Sequence, residues 1–278
     1  MKALFDQVSI ECSRLTTRSY STSFTLGIYC LRRDLRDPVY AVYGFVRFAD
    51  EIVDSFLQHN REALLEKFRR ETFESIEEKI SLNPILNSFQ AVVHQYKIPF
   101  DLIDCFLKSM EMDLSKNGYD EKGFKEYITG SAEVVGLMCL RIFCNGDEDM
   151  YSKLKFHAMS LGSAFQKINF LRDLKADMFT LGRTYFPDMQ AADLNSSNKA
   201  DIEKSIEKDF ADGFEGIKKL PRSARFGVYV AYMYYLALFR KIRNTPAEKV
   251  FQSRIRIPNR HKATLLAYSF VKHQLNLI

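Results

Sequence analysis

FADEIVD, residues 48–54, lies inside the longer run YAVYGFVRFADEIVDSFL, residues 40–57. Three acids, Asp50, Glu51 and Asp54, sit in a segment that is otherwise apolar almost all the way round. A helix of that composition is normally buried. An ionised carboxylate does not enter such a place without a partner or a raised pKa. At about 100° per residue, Tyr43, Arg47, Asp50 and Asp54 fall within an arc of about 60°. Phe45, Phe48, Ile52 and Phe56 lie on the far side. Taken alone, the stripe is equally readable as a solvated face with an Arg–Asp pair.

A second stripe changes that reading. In LGSAFQKINFLRDLKADM, residues 161–178, the side chains Gly162, Gln166, Asn169, Asp173 and Asp177 share an arc of about 80°, with Arg172 at its border. Ala164, Phe165, Ile168, Leu171 and Leu174 supply apolar positions around the rest. If the two helices face each other, their carboxylates repel by on the order of 4 kcal/mol for a pair 4 Å apart at an effective dielectric near 20. A cation between them removes the conflict. Oxygen donors from Asp and Asn suit Mg²⁺, which keeps waters and bridges to phosphate. Zinc calls for His or Cys near the stripe, and neither is there. A di-iron bundle calls for Glu-x-x-His, and none of the five histidines has Glu three residues before it. Arg47 and Arg172, beside the acids, match diphosphate oxygens through their forked donors.

The rest of the chain sets the frame. Its 278 residues are 46% hydrophobic, with 23 Phe and 14 Tyr, enough for a large apolar interior. Forty Lys and Arg against 35 Asp and Glu give a net charge of +5. That excess fits anionic substrates or loose contact with a membrane surface, and is too scattered for nucleic acid. Five cysteines without a CxxC pair point to a reducing compartment. The N-terminus has no apolar core of a signal peptide, and FGVYVAYMYYLALF (226–239) is too short to span a bilayer. The expectation is a cytoplasmic protein, peripheral to a membrane at most. Nothing in the sequence sets its oligomeric state.

Helical periodicity predicts helices near 3–18, 34–58, 61–80, 84–96, 99–115, 123–143, 149–178, 200–219, 224–244 and 262–276. Asn83-Pro84, Asn117-Gly118, Asn145-Gly146 and the polar tract DMQAADLNSSNKAD (188–201) punctuate them. The charged helix at 61–80 is read as surface cover. No segment alternates like a strand. The fold class expected is all-α: one domain over residues 1–278, a helical barrel or bundle around a central apolar cavity.

At this point the sequence resembles the phytoene and squalene synthases, the head-to-head prenyltransferases of the isoprenoid synthase fold. STSF (21–24), YAVYGFVRFADEIVD (40–54), MEMDL (110–114), EVVGLM (133–138), AFQKINFLRDLKAD (164–177), GRTYFP (182–187) and RIRIP (254–258) match that family's motifs in order. The resemblance implies that Asp50, Asp54, Asn169, Asp173 and Asp177 coordinate Mg²⁺, which Mn²⁺ replaces. It implies that Tyr43, Arg47, Arg172, Ser21, Ser23, Gln166 and Tyr235 contact diphosphate or shield cationic intermediates, and that Arg183 and Tyr185 close the mouth. Tyr127 is retained from a family pattern Y-C-Y-x-V-A-G-x-V-G, where this chain reads YITGSAEVVG (127–136). Thr129 replaces a second Tyr and Glu133 a Gly, so roles carried by those two positions are open.

The implied reaction joins two geranylgeranyl diphosphates into phytoene through a cyclopropyl-carbinyl diphosphate. Dehydrosqualene or squalene from two C15 donors is the alternative. Squalene synthases reduce with NADPH and commonly end in a membrane helix. This chain shows neither GxGxxG nor such a helix, so no NADPH is expected. A terpene cyclase usually carries N-x-x-x-S/T-x-x-x-E where Asn169, Asp173 and Asp177 stand here. A non-catalytic assembly factor on the same fold would be expected to have lost acids. For donor length, Tyr40 and Ile28 are read as floor residues of the cavity. Tyr40 stands on the Tyr43 side of its helix and Ile28 lies downstream of STSF.

Overall fold

The periodicity read from the sequence carries through the chain. The structure, a computed structural model, describes residues 1–116, 118–187, 196–250 and 254–275. Asn117 of the expected Asn117-Gly118 break and residues 188–195 of the polar tract lie outside the described residues. The elements are α1 Lys2–Tyr20, α2 Thr22–Tyr29, α3 Arg33–Asp54, α4 Arg61–Glu78, α5 Pro84–Tyr96, α6 Phe100–Ser115 and α7 Glu121–Ile128. A π-helical turn, Thr129–Glu133, then leads into α8 Val134–Cys144, α9 Glu148–Phe179, α10 Ser196–Lys219, α11 Arg222–Arg243, α12 Ala247–Val250 and α13 Asn259–Gln274. Among the described residues there is no strand.

Local chemistry sets the ends. Asn60 accepts from the Ala63 amide at 3.0 Å, Asn83 from Ile85 at 3.0 Å and Asp147 from Met150 at 2.9 Å, each filling an orphan donor at a helix start. Pro84 follows Asn83 at the first turn, where its missing N–H costs nothing. Asn145 ends α8 in the left-handed region, at φ 46°. The octapeptide TSFTLGIY of α2 was not expected. It is short, and two Thr, a Ser and a Gly among its eight residues keep its propensity low. Ser21 starts it, accepting from Phe24 N–H at 3.1 Å.

Packing sorts the faces. On α3, Phe45 is fully buried and stacks on Phe89 with centroids 4.0 Å apart; Ile52 is also buried. Phe48 and Phe56, read from the wheel as the same buried side, are exposed. Helix α4 keeps Leu65, Phe68, Thr72, Ser75 and Ile76 inside and its charges out, as expected of surface cover. Among the described residues one run, Glu121–Cys144, is long and apolar enough to cross a membrane, and it is not the 226–239 stretch. It spans α7, the π-turn and α8, and packs against α6 and α9. A Cβ on Gly162 of α9 would lie 2.7 Å from the Ala132 carbonyl, so only glycine admits the π-turn this close.

Two apolar clusters form the interior, one around α3, α5, α6 and α8, the other around α9, α10 and α11. Both contribute to the walls of a cavity of about 430 Å³, whose lining comes mainly from α2, α3, α8, α9, α10 and α11. This is the all-α barrel with a central cavity that the sequence led us to expect.

Candidate active site

On α3, Tyr43, Arg47 and Asp50 face the cavity, and Asp54 is the last residue of the helix, at the rim. On α9, Gly162, Gln166, Asn169 and Arg172 face it. The two stripes therefore meet across one polar end. Asp173 and Asp177 continue the second stripe toward the mouth. The Asp54 charge acts on both Asp50 and Asp177, and that of Asp173 acts on Asp177.

Arginines hold this end together. Arg47 pairs with Glu51 one turn on, and its guanidinium lies 4.3 Å from the centre of the Tyr20 ring. Its Nε is buried without a partner, leaving a donor for a ligand. Asp173 accepts from Arg172, and from Arg254 at 2.7 Å. Asp54 accepts from Arg183 Nη1 at 2.7 Å, while Arg183 Nη2 donates to the Val53 carbonyl at 2.9 Å. The Arg183 amide donates to the Asp177 carbonyl at 2.9 Å. The segment after α9 thus folds back and ties the two acid-bearing helix ends to each other.

Arg183 also reaches Asp113 of α6, at 3.7 Å. Asp113 is buried and accepts from Tyr127 at 2.6 Å and from Tyr185 at 3.2 Å. Burial pushes its carboxyl up to about 7, against the pull of Arg183. Asp113 falls within MEMDL, yet the sequence assigned it no role. The available signal was a lone acid one turn after Met110 and Ser109 on the apolar face of α6. Arg254, inside RIRIP, was likewise unassigned. Its neighbours Ile255 and Ile257 are buried, which fixes the segment across α9.

Aromatic faces line the cavity just below the acids. Phe165 stacks on Tyr235 at 4.0 Å, and Phe24 sits 5.8 Å from both Tyr43 and Tyr235. Phe165, placed with the general apolar positions from sequence, is thus part of the wall. Tyr235 donates to Asn169 Oδ1 at 3.2 Å, and Asn169 donates to Gln166 at 3.3 Å, which orients the amide pair. Tyr43 is pushed up to about 12, chiefly by burial, and stays protonated.

Three expected contacts fall elsewhere. Tyr40 is buried but does not line the cavity; on α3 the wall is built by Val39, Val42, Tyr43 and Val46. A residue one position from Val39 is turned by about 100°, which carries Tyr40 out of the wall. Ser23 lies beside Leu26, Tyr234 and Lys262, in a small recess under α13. Tyr185 is buried in the second cluster and acts on Asp113 rather than on the cavity. Ser21, Ile28, Tyr127 and Gln166 do line it. Thr129 and Glu133, the departures from the family pattern, bond to each other at 2.8 Å and do not line the cavity.

The chain's relatives can now be placed. The sequence pattern of squalene/phytoene synthase matches residues 17–261. The chain belongs to this family. It is 25% identical over 286 residues to the phytoene synthase of Arthrospira platensis, covering 93% of this chain and 91% of that protein. It is 27% identical over 187 residues to the phytoene synthase of Cereibacter sphaeroides. That second match spans 64% of this chain and about half, 51%, of the relative's length. Among solved structures, a dehydrosqualene synthase superposes with a TM-score of 0.82 at 21% identity, covering 98% of each chain, and shares the fold.

The donor set fits a hard divalent cation: carboxylates and one amide oxygen, with Arg47 and Arg172 beside them for phosphate. Among the described residues, no three of the carboxylates converge on one point. The arginine pairing of Asp54 and Asp173 holds those two carboxylates. Among the described residues, Asp50 and Asp177 have no such ion pair. Burial first, then Asp54, pushes Asp50 up to about 8; burial, then Asp173 and Asp54, does the same to Asp177.

This predicts a pH dependence. A carboxyl that keeps its proton to about 8 when folded, and loses it near 4 when unfolded, makes folding take up protons. Its contribution to stability is therefore full below about pH 4 and is lost as pH rises toward 8. In EDTA, the wild-type melting temperature should fall between pH 5 and pH 8, and that of Asp50→Asn should fall less. Parallel curves for the two proteins would show that the Asp50 carboxyl does not hold its proton in the folded state.

Proposed function

We propose that the protein condenses two geranylgeranyl diphosphates head to head to give phytoene, with Mg²⁺ as cofactor, Mn²⁺ as its substitute and no nicotinamide reductant. The observation that carries this reading is the juxtaposition in one cavity of an acid-and-arginine end with an aromatic, water-shielded interior. Both sequence relatives described above are phytoene synthases, which favours C20 over C15 donors.

Asp50, Asp54, Asn169, Asp173 and Asp177 would hold the metal, which supplies Lewis-acid pull on the diphosphate when bound. Arg47, through its unpaired Nε, and Arg172 would take up diphosphate oxygens. The allylic C–O bond of one donor breaks and diphosphate leaves with the electron pair. The resulting cation is captured by the C2–C3 double bond of the second donor, and a proton is lost as the cyclopropane closes. The remaining diphosphate then leaves, the skeleton rearranges, and a second proton loss forms the central double bond. Phe24, Tyr43, Phe165 and Tyr235 offer ring faces to positive charge, and the apolar walls exclude water that would quench it.

The test is product analysis. With Mg²⁺ and a mixture of C15 and C20 diphosphates, a C40 hydrocarbon should form at the same rate with and without NADPH. A C30 product in its place would move the reading to dehydrosqualene. Dependence on NADPH would overturn the reductant-free reaction.

A further inference from the structure

The cavity runs well past the acids, along a stripe of α9 that reads backward from Asn169 through Phe165, Leu161 and Ala158 to His157 and Leu154. Asn169 and His157 are twelve residues apart, which at 1.5 Å per residue is about 18 Å along the helix. An extended chain advances roughly 1.2 Å per bond, as the 3.3–3.6 Å span of a three-bond peptide unit shows. With four main-chain bonds per isoprene unit, a C20 tail extends about 19 Å and a C15 tail about 14 Å on the same rise per bond. A tail whose head lies at Asn169 therefore reaches His157 with four units and stops short with three.

His157 is held as a wall residue. Its Nδ1 lies 2.7 Å from the Asp212 carbonyl of α10. A carbonyl only accepts, so Nδ1 carries the proton. Opposite stands Gly216, where an added Cβ would come 2.3 Å from the His157 Cβ. Glycine there lets the side chain seat directly against α10. The walls around that end are otherwise apolar, with Leu31, Phe143, Leu154 and Leu220.

We propose that His157, seated by Asp212 and Gly216 and followed along the wall by Leu154, narrows the far end of the cavity and gauges donor length, admitting a fourth isoprene unit and resisting a fifth. This rests on the prenyl diphosphate reading above and names the residue that sets its substrate.

The test uses the full chain with Mg²⁺ and equimolar C15, C20 and C25 all-trans prenyl diphosphates in one tube. His157→Ala should raise C25 incorporation relative to C20 by roughly tenfold or more, and His157→Trp should raise C15 relative to C20 by a similar factor. Phe156→Ala, at the exposed neighbour, should leave the ratios unchanged. The same three diphosphates are then compared for the rise in melting temperature that each gives wild type and variants, a readout that needs no turnover. Ratios and melting shifts that match wild type in both His157 variants overturn the gauge. If wild type prefers C15 yet both variants still move the ratio, the C20 assignment and the four-unit limit fail, and His157 stands only as a residue that sets donor length. Should His157→Ala not fold, His157→Trp alone decides, because a structural role predicts loss of all donors rather than a shift toward the short one.

Discussion

Asp50→Asn, Asp54→Asn, Asp173→Asn and Asp177→Asn should each lower turnover at saturating Mg²⁺ by about a hundredfold or more, the scale for removing one preorganised electrostatic group from a site. The reason is the match between what these side chains lack and what the reaction needs. Among the described residues Asp50 faces the cavity without a direct ion pair, Arg47 acting on it only through space, and Asp177 is crowded by Asp173 and Asp54. Asn keeps the shape and removes the charge, so the loss reports the charge itself. Two of these substitutions should act oppositely on the metal-free fold: Asp50→Asn or Asp177→Asn removes a carboxyl that burial, and then its acidic neighbours, disfavour, and should raise the melting temperature in EDTA near pH 8. Wild type should gain stability from Mg²⁺ plus diphosphate, which bind only the folded state, and Asp50→Asn should gain less. Turnover near wild type in any one variant would take that residue out of the metal set. A melting curve unchanged by saturating Mg²⁺ and diphosphate would count against the facing stripes as a binding site.

The two acid stripes were legible because an amphipathic helix writes its faces into its spacing. Tyr43, Arg47 and Asp50 share the cavity as their common arc required, and so do Gln166, Asn169 and Arg172. What the wheel cannot supply is the neighbour. Tyr40 is only about 60° from Tyr43 on the wheel, yet a small rotation decides whether a side chain meets a void or another helix. Ser23 fails for the same reason: on a helix as short as α2, Ser21 caps and faces the cavity while Ser23 turns under α13. Helix α2 itself was hidden because packing, rather than propensity, holds it. Gly27 and Gly227 bring it against α11, where a Cβ on Gly227 would fall 2.6 Å from the Gly27 carbonyl. Asp113 and Arg183 lie far apart in sequence and meet only through the fold. No local pattern announces a pair of that kind.

Asp113→Ala should cost on the order of 3–5 kcal/mol of stability, the range for stripping one partner from a buried charged network. Three groups depend on that carboxylate. The Tyr127 and Tyr185 hydroxyls lose their acceptor inside the protein, and each stranded donor costs roughly 1–3 kcal/mol. Arg183, itself 2% exposed, keeps Asp54 and the Val53 carbonyl but loses its second acid. Asp113→Asn separates this structural effect from a functional one. The amide retains an acceptor oxygen for one tyrosine, so the fold should survive with a smaller loss. Arg183, no longer shared between two carboxylates, should then hold Asp54 more tightly and compete better with an incoming cation. The expected result is a folded Asp113→Asn enzyme that needs more Mg²⁺ for half-maximal activity, while Tyr185→Phe, which leaves both acids of Arg183 in place, keeps the wild-type requirement. An unchanged Mg²⁺ requirement in a stably folded Asp113→Asn would confine Asp113 to packing and cut the link from α6 to the metal acids.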